Sequence, residues 1–257
     1  MKPVTVLAVL TLASLVLDGA QLAWAADLAP AQAMIEKKAF AEAIPLLEEI
    51  VAVEPANSEA WCLLGDALSS RVNEVGLIQK MSVAKRGLAA YNRAVAADPR
   101  SISAHRALVQ FHLQAPSFVG GRRSEAYGHA NALAGLDAWQ GNFWLIRLAL
   151  DDDKPAEAFA ACDRLLALEP ERYRVLYQLG RTAAVAGDQL QRGADALRKA
   201  LALEPGKDDP SLAHANLRLG QILEKQGDRT GAIAAYSTAL RLDEKLTDAK
   251  TRLAKLR

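Results

Sequence analysis

Six stretches of this chain repeat one spacing of small and apolar residues, and that repetition limits its folding more than any other feature. Ala232, Tyr236, Ala239 and Glu244 are separated by steps of 4, 3 and 5. The same steps join Ala43, Leu47, Ile50 and Pro55, then Gly87, Tyr91, Ala94 and Pro99. They recur at Ala158, Cys162, Leu165 and Pro170, and at Gly193, Leu197, Ala200 and Pro205, with a weaker copy at Ala126, Ala130, Leu133 and Ala138. A second pattern precedes these. Trp61, Leu64, Gly65 and Leu68 match Leu176, Leu179, Gly180 and Ala183, and also Asn216, Leu219, Gly220 and Leu223. His105, Leu108, Val109 and His112 form a degraded version, and Trp144 with Leu148 a poorer one. Steps of three and four put such residues on one side of a helix. One helix pair cannot bury that stripe alone, so the pairs must stack on one another.

Composition agrees. Ala and Leu are abundant, aromatics make up 5% of the chain, and no run of alternating β-branched residues suggests a strand. The fold class expected is all-α. Pro after most second helices ends them, because it lacks an N–H and disfavours helix before it. Gly187-Asp188 and Gly227-Asp228 supply turns within pairs.

These residues resemble the tetratricopeptide repeat, whose pattern runs W-x₂-L-G-x₂-Y, A-x₃-F and P over about 34 residues. The resemblance covers residues 29–256. It implies an α-solenoid, a right-handed superhelix of antiparallel helix pairs with a concave groove lined by the first helices. The expected repeats are 29–55, 58–99, 102–138, 141–170, 173–205 and 213–244, with a cap helix at 247–255. Lys250, Arg252 and Lys255 give that cap a polar outer face.

Three departures stand out. The interval from Pro55 to Pro99 is about ten residues too long, which the apolar face Leu77, Met81, Ala84, Leu88, Tyr91, Val95 assigns to a second helix lengthened at its front by about two turns. It reads either as passive packing or as a contact element. "HLQAPSFVGGRRSEA" places a loop at Pro116–Gly121, and such a loop resembles a subgroup of exported bacterial tetratricopeptide proteins. Gly121-Arg122-Arg123 is read as a turn and cap, with anion binding as the alternative. "GKDDPS" lengthens a later linker, with Ser211 or Asp209 as the cap of the next helix.

Residues 1–25 have the layout of a secretory signal peptide: Lys2, an apolar core from Val4 to Leu17, and Ala23-Trp24-Ala25 as the cleavage site. Cleavage after Ala25 would leave a secreted or periplasmic protein. Contact with a membrane is expected only through this segment if it stays uncleaved. Cys62 and Cys162 fall in different repeats and are expected as buried free thiols.

The charge balance, 31 Lys and Arg against 30 Asp and Glu for a net +1, shows no basic stripe for nucleic acid. Motifs for haem, zinc proteases, serine hydrolases and phosphate loops are absent. His105 and His112 lie seven apart in core slots and read as core or boundary histidines, not metal ligands. Asp151-Asp152-Asp153 reads as a solvated turn capping the next helix. No catalytic residue, cofactor or metal is therefore assigned.

The groove carries the functional expectation. Repeat five should show Arg174, Tyr177 and Arg181 on one side, suited to a carboxylate or aromatic anchor. Neighbouring candidates are Arg106 and Gln110, Asn142 and Leu145, and His214 and Gln221. Glu59, Cys62 and Asp66 face the groove from repeat two. Trp139, Phe143 and Trp144 read as core. The function expected is a non-enzymatic scaffold or adaptor in a bacterial envelope that holds a peptide or helix of a partner protein. The alternatives are an accessory subunit of envelope assembly machinery and a self-associating structural protein.

Overall fold

The computed structural model describes residues 27–257, so the proposed leader and its cleavage site lie outside the described residues. Among the described residues are thirteen α-helices, a 3₁₀ turn at Ser117–Val119, and no strand. The helices are α1 (Ala29–Glu36), α2 (Phe40–Val53), α3 (Ser58–Arg71), α4 (Leu77–Ala97), α5 (Ile102–Gln114), α6 (Arg123–Leu136) and α7 (Ala138–Asp151). They continue as α8 (Pro155–Leu168), α9 (Tyr173–Ala186), α10 (Leu190–Ala200), α11 (Leu212–Lys225), α12 (Arg229–Leu242) and α13 (Thr247–Leu256). Each helix packs on the next, making an all-α solenoid.

Local chemistry sets the helix ends. The side chains of Asn57, Ser101, Asp137, Ser211 and Asp228 accept backbone N–H bonds at the starts of α3, α5, α7, α11 and α12. Gly187 and Gly227 take φ of +70° and +82° at the turns after α9 and α11, a region open to glycine at little cost.

Within the pairs, small residues on the first helix let a large one on the second come close. A Cβ on Gly65 would lie 2.4 Å from the Tyr91 ring, one on Gly180 2.2 Å from Leu197, and one on Gly220 2.5 Å from the Tyr236 ring. Tyr91, Leu197 and Tyr236 are buried, each contributing roughly 1.5–3 kcal/mol. The buried tyrosine hydroxyls still find acceptors: Tyr91 donates to Asp66 at 2.8 Å and Tyr236 to Glu224 at 2.6 Å.

The buried side chains form three adjoining clusters. One covers α1 to α4, a second joins α3, α4 and α5, and the largest runs from α5 to α13. α13 closes the stack by burying Ala249 and Leu253. Arg252, expected on the outer face, turns back to pair with Glu224 at 3.1 Å and Asp248 at 2.9 Å.

The irregular repeats shape the surface. α4 has 21 residues where α2, α8 and α12 have 14, a gain of about two turns. The 3₁₀ turn packs on α4, and Gly120 (φ +114°) backs onto Leu88. α6 and α7 are joined by Asp137 alone, which ends the first and caps the second. Ala138, placed by the spacing at the end of a repeat, opens α7 instead. Gly141 makes this turn possible, since a Cβ there would lie 2.1 Å from the Ala134 backbone nitrogen.

The aspartate triplet differs from its expected role. α8 has no side-chain cap; Asp152 instead accepts from Tyr127 at 3.0 Å and pairs with Arg123 at 2.7 Å. Arg123 also donates to the Leu148 carbonyl at 2.9 Å, so it is held within the α6–α7 packing and is not free for an anion.

Candidate functional site: the face lined by the first helices

First helices of successive pairs touch one another, α1 with α3, α3 with α5, α7 with α9 and α9 with α11. They line one face of the solenoid. Its two halves carry opposite charge.

Between α3 and α5 lies a cavity of about 650 Å³. Glu59, Asp66 and Asp98 line it with a single cation, Arg106. Arg106 and Gln110 are exposed there, opposite Glu59 and Cys62, so these candidates share one cavity. Cys62 and Cys162 are buried free thiols, and burial pushes each up to about 11. Burial also raises the Asp66 carboxyl, against the hydrogen bond from Tyr91 and the charge of Arg106, which lower it.

The α7–α9–α11 half is rich in arginine. Arg174 lies over the Trp139 ring at 4.5 Å and reaches Glu169 at 3.5 Å, while its Nε is buried without a partner. Arg218 donates to Gln221 at 2.9 Å, and its Nε is likewise unpartnered. The exposed Arg147 sits over Trp144 at 5.3 Å. Among the described residues, the Arg181 guanidinium has no hydrogen bond or ion pair. Burial, then the positive charges of Arg218 and Arg147, push it below the usual arginine range, with Tyr177 and Asp151 opposing. The Tyr173 hydroxyl, also on α9, is buried without a partner. A buried donor without an acceptor costs about 1–3 kcal/mol.

The structure moves several candidates from the open surface into the wall. Asn142, Leu145, Tyr177 and Gln221 are each under a tenth exposed. Asn142 donates to the Ala138 carbonyl and accepts from Arg164 at 2.7 Å. Tyr177 stacks on Tyr173 with ring centres 6.2 Å apart. Gln221 donates to Asp248 at 2.7 Å. Four side chains expected to meet a guest are thus buried, and Asn142 and Gln221 are held by neighbouring helices. His214 is half-buried and tied to Ser211, the cap of its own helix, at 2.9 Å. Arg174 and Arg181 remain partly accessible.

A histidine group lies under repeat three. His105 Nε2 sits 3.0 Å from the Pro99 carbonyl, which can only accept, so His105 carries its proton there. Its Nδ1 then accepts from His129 Nδ1–H at 3.0 Å. The His112 ring stacks on His129, centres 5.9 Å apart, and donates through Nδ1 to the Gly120 carbonyl. No group of three metal-ligating side chains occurs among the described residues.

Stacked helix pairs with a charged inner face define a helical-repeat solenoid, a class that presents an extended surface. Residues 177–246 match the family model of the tetratricopeptide repeat. Residues 177–246 thus belong to tetratricopeptide repeats, and the helices before them continue the same stacked-pair fold. Solved structures agree in fold. PilW, described as a widely conserved type IV pilus biogenesis factor, superposes with a TM-score of 0.60 at 16% identity, over 88% of this chain and 96% of that one. PilF of Pseudomonas aeruginosa gives 0.58 at 15% identity, over 89% and 95%. YrrB, described as having an unusual peptide-binding site, gives 0.52 at 16%, over 80% and 96%. One curated protein, the probable biofilm formation methyltransferase WspC of Pseudomonas aeruginosa, is 39% identical over 101 residues. That match takes in 39% of this chain but only 22% of the relative. No helix among the described residues is long and apolar enough to cross a membrane.

Proposed function

We propose that this protein is a non-enzymatic scaffold of a bacterial envelope, holding an acidic segment of a partner protein along the basic inner face of α7, α9 and α11. The observation that carries this reading is Arg181, half-buried, under the positive charges of Arg147 and Arg218, and in no ion pair among the described residues. A carboxylate from a partner would satisfy it, with fork geometry suited to bidentate pairing. Arg174 and Arg218, both partly accessible, add positive charge along the same strip. The acidic cavity between α3 and α5 would repel such a segment, so the guest would lie in one register.

The envelope placement is supported by the signal-like leader and by fold likeness to two pilus proteins, one described as a biogenesis factor. The short match to a methyltransferase leaves the catalytic reading without a residue to carry it in this chain.

The test is affinity capture from envelope extract with Arg174→Glu/Arg181→Glu against the parent. Loss of a specific partner, with helical signal and melting unchanged, supports the reading. Unchanged capture by the double variant removes it.

A further inference from the structure

The two excursions from the repeat pattern meet and enclose a second cavity. The front of α4 and the 115–121 loop both lie at the edge where first helices end and second helices begin. Between them and the C-terminal ends of α3 and α5 is a cavity of about 580 Å³. That is the size of a pocket for a small organic ligand, about 300–1,000 Å³.

Its walls are mostly apolar. Val72, Met81, Ala84, Phe111, Phe118 and Val119 supply them. Met81 and Phe118 remain 45% and 66% exposed, so large apolar groups stand uncovered at the mouth. The polar part is small. Asn73, Gln110 and Gln114 add amide groups, while the Tyr91 hydroxyl is already engaged by Asp66 and Ser69. Lys80 is the one cation of the lining, and the lining contains no carboxylate. Lys80 is half-buried and in no ion pair among the described residues.

We infer that this pocket binds a small amphiphile: an apolar body the size of a medium acyl chain, carrying one anionic group that meets Lys80. The apolar body covers Phe111, Phe118 and Met81, and the head is steered by an unopposed positive charge. A cationic amphiphile gains the same burial but meets Lys80 as a like charge. The pocket belongs to α3, α4 and α5, so the inference does not rest on the arginine strip of α7, α9 and α11.

The experiment is isothermal titration of the whole mature chain with dodecanoate, kept below its micelle concentration, at low salt. Saturable binding of one equivalent is expected. Ala84→Trp, which fills the pocket from α4, should weaken it by more than about tenfold, and Lys80→Glu by about tenfold. Dodecyltrimethylammonium should bind about tenfold more weakly than dodecanoate. Melting followed by circular dichroism checks that Ala84→Trp folds; Ala107→Leu takes its place if it does not. Arg174→Glu/Arg181→Glu should leave dodecanoate binding unchanged. No saturable heat, equal affinity for both charge types, or indifference to the filling variant overturns the inference.

Discussion

Substituting Gly220 by Ala isolates the close packing that holds the last repeat together. The added Cβ would lie 2.5, 2.6 and 3.0 Å from three atoms of the Tyr236 ring. The ring has little freedom to withdraw. Tyr236 is fully buried, and its hydroxyl is tied to Glu224, which Arg252 of α13 holds from the other side. Overpacking of this kind costs about 1–3 kcal/mol. It is partly hidden by the better helix propensity of Ala, worth about 1 kcal/mol. Gly128→Ala supplies the reference, because Gly128 is an exposed glycine inside α6 with nothing within 4 Å of its Cβ position. Gly128→Ala should therefore gain up to about 1 kcal/mol, and Gly220→Ala should fall below it by about 1–3 kcal/mol. Urea denaturation followed by far-UV circular dichroism measures the difference. In melting temperature it is about 2–4 °C per kcal/mol for a chain of this size. Equal shifts for the two variants would show that Tyr236 does not press on α11, and the packing argument would fail with it.

Acid should loosen repeat three. Burial, then the charges of His105 and His112, lower His129 from 6.5 to about 4, so the folded state prefers it neutral. Its contribution is complete above about pH 6.5 and is lost as pH falls toward about 4, because the unfolded chain takes up the proton first. His129 is half-exposed, so after screening the loss is about 1–2 kcal/mol. The urea midpoint of the parent should drop more steeply over that window than that of His129→Gln; parallel profiles count against the assignment. Gly187→Ala should destabilise by about 1 kcal/mol, since φ is +70° there, and a thermal melt unaffected by it would contradict the strain. N-terminal sequencing of exported protein should begin at Ala26, and an intact Met1 terminus would remove the leader reading.

Much of the fold was legible because repeats share one packing rule. Gly65, Gly180 and Gly220 each faced a bulky residue four positions into the 4-3-5 pattern, and each contact is present. The length of α4 was readable from the apolar face running through Met81, Ala84, Leu88 and Tyr91. The site was less legible. Aligning Gly180-Arg181 with Gly220-Gln221 puts Gln221 in the slot of Arg181, yet Gln221 is drawn away to Asp248 and the longer Arg218 supplies the charge. Arg147 reaches the same strip from α7, where the first-helix pattern is weakest. Tyr127 and Arg123 meet Asp152 from about 25–30 residues away, a pairing set by the one-residue turn at Asp137. Local spacing carries no signal for such contacts. The partners of His129 lie on the preceding helix, so spacing along its own helix carries no sign of them. The pocket at the edge required two insertions from neighbouring repeats to meet, which neither sequence stretch specifies alone.

The central claim is that the inner face of the first helices is the working surface. Photo-crosslinking in living cells tests it most directly, with p-benzoylphenylalanine placed in turn at Arg181 on α9, at Arg147 on α7 and at the exposed Glu49 on α2. Discrete adducts with one partner protein from positions 181 and 147, and none from 49, are the predicted result. Adducts from position 49 alone would put the partner on the opposite face and contradict the account.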